Sequence, residues 1–460
     1  MKGTIESSFR GLSITTDNSK PSVSVHHQRE VPVSSLPPEL LDIVYKLLWQ
    51  TFAQAVSDIV FSPFLHGYPL TESSASRQSA TATINLARRP LVQVAAVSRG
   101  WYNSSIHFLY SHVVLLSYRQ LWDFHRTVKE SQFVASLVKE LSFFVPHGRP
   151  HSSTLNRQFQ FHHQAADILL QCTLVQSIHI CSPDSEPPAR HTLHNRVPSA
   201  PQSTRIVSFT AHSLAFMVVP TTFEEYPHLE ALTFNRCLIP RGISLLTVSS
   251  LHTLKFRETY SIEPSFLSRS NLPSLRHLWL YRSALTLPPD TSVDDRTFDP
   301  PVLETLHLVE NVDEPDMTFE ILHQSGALSR LRTLCSTLNP YLSVWEFPES
   351  LQSLMIFIPR DAGPFDTYPI LEALRLNATS IQQSSCALSQ ITINLHCLDA
   401  STEALSTHES ESLEGIRVNC DKIRLAVDFN VIDLDHWVMH YGDLISMCPR
   451  TTIDETLDDE

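Results

Sequence analysis

One six-residue phrase, Leu-x-x-Leu-x-Leu, returns in a single register through the second half of this chain and constrains its fold more than any other feature. The clearest copies are Leu229-Glu-Ala-Leu-Thr-Phe234, Leu251-His-Thr-Leu-Lys-Phe256, Leu275-Arg-His-Leu-Trp-Leu280 and Leu303-Glu-Thr-Leu-His-Leu308. Leu351-Gln-Ser-Leu-Met-Ile356 and Leu371-Glu-Ala-Leu-Arg-Leu376 continue the series, Val138 to Phe143 and Val175 to Ile180 are early copies, and Leu331 to Leu334 and Leu413 to Val418 are partial ones. Between Leu229 and Leu371 the interval is about 20 to 28 residues, the length of a unit that contributes one short strand and a return segment. One such unit cannot bury its own apolar edge, so neighbours must stack, and the strands then run parallel in an α/β solenoid. Strand side chains alternate between faces. With the leucines inward, Thr253, Lys255, Arg257, His277, Trp279, Tyr281, Thr305, His307, Val309, Met355, Phe357, Arg375 and Asn377 are expected on the open, concave side.

The phrase and its period resemble the leucine-rich repeat family. The match is irregular: the Asn or Cys that the family places just after the strand appears plainly only at Cys237, and Pro-rich stretches at 182–201 and 287–301 read as loops leaving the stack. Exposed aromatics beside basic residues are a common composition of binding centres. The resulting candidate client-binding set is Lys255, Arg257, His277, Trp279, Tyr281, His307 and Arg375.

The N-terminal part carries a different signal. Residues 1–33 show no sustained period and read as a disordered arm. At Leu36-Pro-Pro-Glu-Leu-Leu41 a helix is expected to start, since proline is tolerated in a first turn and Glu39 suits the positive end of the helix dipole. Leu40, Ile43, Val44, Leu47 and Leu48 then fall on one face at helical spacing, which predicts the core side, and the pattern runs on until Pro63. Residues 66–85 read as a flexible loop, after which Leu91, Val94, Ala95 and Ser98 form a second stripe and Trp101, Ile106, Leu109 and Tyr110 a third. A further helix is predicted over Tyr118 to Glu130, with Leu121, Phe124 and Val128 inward.

The pairing of Leu36-Pro-Pro-Glu-Leu with Val97-Ser-Arg-Gly-Trp101 resembles the F-box. This three-helix module docks onto the adaptor of an SCF-type cullin–RING ubiquitin ligase. The resemblance covers Leu36 to about Leu116 and implies that Leu36, Pro37, Leu40, Leu41, Val97 and Trp101 lie at or beside the adaptor interface. The chain departs from the family by inserting about forty residues, 50–89, between the first two helices.

Composition narrows the alternatives. A formal net charge of −14 disfavours a general phosphate-backbone binder. Ten glycines, none closer than eight residues to the next, leave no room for a dinucleotide fingerprint, a Walker loop or a nucleophile elbow. Eight cysteines, never closer than nine positions, contain no C-x-x-C pair. His436 and His440 have helical i, i+4 spacing without a marked third ligand, and His147 and His151 are separated by Gly148 and Pro150. No apolar run suits a membrane span and no signal peptide is visible, so an intracellular protein is expected.

These readings give a disordered arm at 1–33, an F-box-like helical domain at 34–116, a leucine-rich-repeat solenoid at 117–448 and an acidic tail at 449–460. The expected function is that of a non-catalytic, substrate-recruiting ligase subunit. Its partners would be the SCF-type adaptor, through it cullin, and a protein client, without metal, cofactor, nucleic acid or membrane. The competing expectation is a free-standing repeat scaffold attached to no ligase.

Overall fold

The computed structural model describes residues 38–61, 74–144, 163–181, 205–212, 226–235, 248–259, 262–283, 299–309, 315–337, 347–359, 387–396, 407–422 and 426–432, with the single positions 223, 237, 239 and 285. It begins with three helices, α1 (Pro38–Phe61), α2 (Ser74–Ala95) and α3 (Arg99–Ser111). The chain passes without a break from α3 into β1 (His112–Leu115) and continues through α4 (Tyr118–Glu130) and α5 (Gln132–Ala135). Eleven further strands follow: β2 (Glu140–Phe144), β3 (Ser177–Cys181), β4 (Ser208–His212), β5 (Ala231–Asn235), β6 (Thr253–Arg257), β7 (His277–Tyr281), β8 (Thr305–Val309), β9 (Thr333–Thr337), β10 (Ser353–Pro359), β11 (Gln390–His396) and β12 (Ala426–Ile432). All twelve form one sheet in strict chain order, and every neighbouring pair is parallel. The architecture is therefore α/β with a sequential parallel sheet.

The repeated phrase explains this order physically. Its second and third apolar positions line up from strand to strand, as in the rows Leu232, Leu254, Leu278, Leu306, Leu334 and Phe234, Phe256, Leu280, Leu308. Its first position is buried too: Leu229, Leu251, Leu275, Leu303, Leu331 and Leu351 are all at most 2% exposed. The N–H of this first residue usually turns back to the carbonyl three residues earlier, as from Leu229 to Tyr226, Leu275 to Leu272 and Leu331 to Leu328. The next residue is polar, and its carbonyl accepts two N–H bonds from the following unit. Arg276 and His277 share the oxygen of His252 at 3.0 and 2.9 Å, and Glu304 and Thr305 share that of Arg276 at 2.8 and 3.1 Å. These shared acceptors fix the register of each strand before the strand begins.

The helices supply the opposing layer. α4 puts Leu121, Phe124 and Val128 into the same core, as its spacing predicts. Phe266 and Leu267 of a 3-10 turn, Phe319 and Leu322 of the Pro315–Gln324 helix, and Leu413 and Ile416 of the Thr407–Lys422 helix join the leucine rows.

Three readings are corrected. Leu413 to Val418 lies in a helix, not a strand, and its buried Leu413, Ile416 and Cys420 follow the helical period. The copy expected at Leu371 to Leu376, Arg375 included, lies outside the described residues. β4, β11 and β12 escape a leucine-based reading because Leu388-Ser-Gln-Ile-Thr-Ile393 carries the pattern with one leucine, and Ile206-Val-Ser-Phe-Thr-Ala211 and β12 with none. Most of the loop expected at 66–85 is helix from Ser74 onward. Its C-terminal half is packed through Leu91 and Ala95, and extending a packed helix avoids a second nucleation cost.

The leucine rows make a direct stability prediction. Leu278→Ala removes a fully buried side chain from the middle row and should cost about 2–5 kcal/mol. Exposed Arg276→Ala, which loses only the 3.2 Å pair to Glu304, should cost under about 1 kcal/mol. Denaturant midpoints of the two variants should differ accordingly, and equal midpoints would place Leu278 outside the core.

Candidate interaction surfaces

Two regions hold the residues singled out by the sequence. In the helical unit, Ser98 caps α3 by accepting from the N–H of Trp101 at 3.2 Å. That cap aims Trp101 inward, where its ring meets Tyr45 edge-on at 6.3 Å and its carbonyl accepts from the Tyr45 hydroxyl at 2.8 Å. Leu41, Tyr45 and Phe52 of α1 pack with Leu91 and Ala95 of α2 and with Trp101 and Leu109 of α3. Leu41 and Trp101 are thus core residues at 7% and 6% exposure, and they act on any docking surface through the packing of the three helices.

The buried stripe of α1 is rotated one step from the expected one. Leu40, Ile43 and Leu47 are 47%, 52% and 58% exposed, while Leu41, Tyr45 and Phe52 go inside. The helix is apolar on more than one side, so spacing alone did not decide which side packs. Tyr45 won the inner position because its hydroxyl finds a backbone acceptor there. Leu40, Ile43 and Leu47, at i, i+3 and i+7, form an apolar strip at the surface, and Val97 between α2 and α3 is 52% exposed. Of the expected docking residues, Leu36 and Pro37 lie outside the described ones.

The second region is the sheet face opposite the leucines. Register brings Lys255, Trp279, His307 and Cys335 into one row and Asn235, Arg257, Tyr281 and Val309 into the next. The Lys255 ammonium sits 4.5 Å above the Trp279 ring, and the His307 ring stacks below it at 3.8 Å between centroids. Tyr281 lies near two guanidinium groups, Arg257 at 5.0 Å and Arg282 at 5.2 Å. Glu258 and Arg282 both have positive φ, 47° and 45°, and their side chains pair at 3.6 Å across the rim.

The expectation of an open aromatic face is corrected here. Trp279, Tyr281 and His307 are 6%, 4% and 1% exposed, and Arg257, Val309 and Phe357 are buried as well; Lys255 and His277 are half-buried. Both ring faces of Trp279 are already occupied by strand neighbours, so it has no face left to offer a client. Just beyond these strands, Thr259 and Ser283 answer the same need as Cys237. Cys237 donates to the Ala211 and Asn235 carbonyls, Thr259 to Arg257, and Ser283 to Tyr281. These hydroxyls occupy the place where an Asn or Cys was sought, which is why the family pattern looked broken.

At the seam between helices and sheet, His112 makes a third cluster. Phe52 of α1 meets its ring edge-on at 6.3 Å. Its Nδ1 is 3.4 Å from the Glu140 carboxylate and its Nε2 is 3.0 Å from the Ser142 hydroxyl. A carboxylate only accepts, so Nδ1 carries the proton and Ser142 donates to Nε2. Burial, aided by His179, pushes the His112 pKa down to about 3, and burial together with Lys255 and His277 holds His307 well below its ordinary value.

Among the described residues no group of three or more His, Cys, Asp or Glu side chains could hold a metal ion, and no helix is long and apolar enough to cross a membrane. His147, His151, His436 and His440 lie outside the described residues. No family model and no curated protein matches the chain.

The buried imidazoles set a pH dependence. The unfolded chain binds a proton at each near its ordinary pKa of 6.5 while the folded chain resists it, so stability falls as pH drops through that value and continues to fall toward about 3 for His112. His112, neutral in the folded chain over this range, removes about 2 kcal/mol between about pH 6.5 and about pH 5. His112→Asn should flatten that part of the profile in chemical denaturation, and an unchanged slope would assign the acid sensitivity elsewhere.

Proposed function

We propose that this protein is a substrate-recruiting subunit of an SCF-type ubiquitin ligase, with 38–116 as an F-box-like docking unit and the sequential sheet as a leucine-rich-repeat solenoid that holds a client. The observation that carries the reading is the strip of Leu40, Ile43 and Leu47. A compact three-helix unit has satisfied its own core with Leu41, Tyr45, Phe52, Leu91 and Trp101 and still presents three large aliphatic side chains in line to solvent. Apolar strips of this kind are costly to leave in water and mark partner surfaces. The strip begins three residues after Pro37, within the Leu-Pro-Pro-Glu-Leu phrase on which the family resemblance rests.

The mechanism in this reading is proximity. The helices fix the chain to the adaptor, the sheet holds the client, and transfer to the client accelerates because its lysines remain at high effective concentration near the charged carrier. No side chain of this protein then takes part in bond making.

Ile43→Asp with Leu47→Asp should lower copurification of the adaptor at least tenfold. Both positions are exposed, so the helical circular-dichroism signal and the denaturation midpoint should stay near their original values. Losing two apolar anchors at an interface commonly costs about 2 kcal/mol or more each. Undiminished copurification by the folded variant would sink the docking assignment, and failure of the unaltered protein to recruit any adaptor would favour the free-standing scaffold.

A further inference from the structure

Of the 34 basic residues of the chain, seven are lysine and 27 are arginine, although lysine is ordinarily among the commonest residues of soluble domains. The deficit lies where the repeats are. Lys2, Lys20, Lys46, Lys129 and Lys139 all precede β2. The 257 residues from Glu140 to His396, which carry β2 to β11, contain one lysine, Lys255, against sixteen arginines. Lys255 is itself half-buried, with its ammonium 4.5 Å above the Trp279 ring.

Two ordinary explanations do not account for the choice. A general preference for G- and C-rich codons would raise glycine along with arginine and lower phenylalanine. The chain has 10 glycines, far below their usual share of about 7%, and 23 phenylalanines. The second explanation is the planar guanidinium, which suits stacked and forked contacts. It is used so at Arg257 and Arg282, both over Tyr281, and at Arg269, which reaches the Asp299 carboxylate and the Pro300 carbonyl. Arg205, Arg330, Arg332 and Arg417 are different: they are exposed, and their side chains make no ion pair among the described residues. Lysine would serve the fold equally well at these four positions.

What separates the two cations is reactivity toward an acyl donor. A lysine of ordinary pKa, about 10.4, can release a neutral amine. Its nitrogen attacks a thioester carbonyl, a C–N amide bond forms, the C–S bond breaks, and the proton lost by the amine goes to the departing thiolate. A guanidinium keeps its proton and its delocalised electrons and does not react in this way. An amine on a recruiting subunit would stand permanently at high effective concentration beside the charged carrier, whereas a client is there only while bound.

We propose that the repeat region carries its positive charge on arginine so that the chain escapes acyl transfer to itself and the amines within the carrier's reach are the client's. The inference rests on the ligase reading above and adds a property to it, the survival of the recruiter through repeated rounds of client modification.

The test reconstitutes the full-length chain with adaptor, cullin, RING subunit and charged carrier, and compares it with the variant Arg205→Lys, Arg330→Lys, Arg332→Lys, Arg417→Lys. These changes conserve charge at exposed positions, so the denaturation midpoint and adaptor copurification should match those of the unaltered chain. Ubiquitin attached to the chain itself, located by peptide mass spectrometry, should rise roughly tenfold or more at the substituted positions, given the concentration advantage of a tethered amine. Glutamine at the same four positions should leave attachment at the unaltered level. Adaptor recruitment with equal attachment to the unaltered and lysine-substituted chains would overturn this inference and leave the ligase reading standing. An equal rise with glutamine would overturn it too, because lysines already present would then be the acceptors. Failure of the unaltered chain to recruit any adaptor would overturn both.

Discussion

The structure depends on a backbone constraint more than on any single side chain: one carbonyl per unit accepts two N–H groups from the next. The oxygens of Glu230, His252, Arg276, Glu304 and Arg332 each do this in turn, at 2.8 to 3.1 Å. Because the shared acceptor lies just before the strand, it sets the starting point of the following strand, and the period-two alternation then settles which side chains face which way. A slip of one residue anywhere would exchange the leucine row for the polar row along the rest of the sheet. Uninterrupted parallel order over twelve strands follows from repeating this local rule, not from long-range pairing, and each bond in it joins residues about one unit apart.

This explains what was legible in the sequence. Where a unit carries three bulky aliphatic or aromatic anchors, as Leu275, Leu278 and Leu280 do, both its strand and its inward face follow from spacing. Where isoleucine, phenylalanine or alanine fills the same places, as in Ile206, Phe209 and Ala211, the physics is unchanged while the letters differ, and a leucine-based reading passes over β4. The opposite error at Leu413 arose because L-x-x-I-x-V also satisfies a helical i, i+3 spacing. Polar, strongly acidic flanks then favoured the helix, with Glu411 and Glu414 outward.

The candidate surfaces were less legible because they depend on what a face meets, and period says only that two side chains share one. On α1 the rule found an apolar helix and could not choose between adjoining stripes; the hydroxyl of Tyr45, reaching the Trp101 carbonyl, made the choice. On the sheet the rule correctly put Lys255, Trp279 and His307 in one row, and incorrectly put that row in water. Stacking of cation, indole and imidazole at equivalent positions turns three separate candidates into one packed unit, in which each ring shields its neighbour. The sequence contains the row but not the depth at which it is buried.

His112 ties the two halves together. It is the first residue after α3 and the first of β1, so any rotation of the helical unit against the sheet must move its ring relative to Phe52, Glu140 and Ser142. A neutral imidazole serves here because it can donate to the carboxylate and accept from the hydroxyl at once. An imidazolium would keep the first bond, lose the second, and bring a charge beside His179 in a site where burial already disfavours charge. The contacts between the helical unit and the sheet at this ring therefore depend on its staying neutral. In a protein whose proposed work is to hold one partner at a set distance from another, such contacts are what convert two separate binding surfaces into a defined geometry.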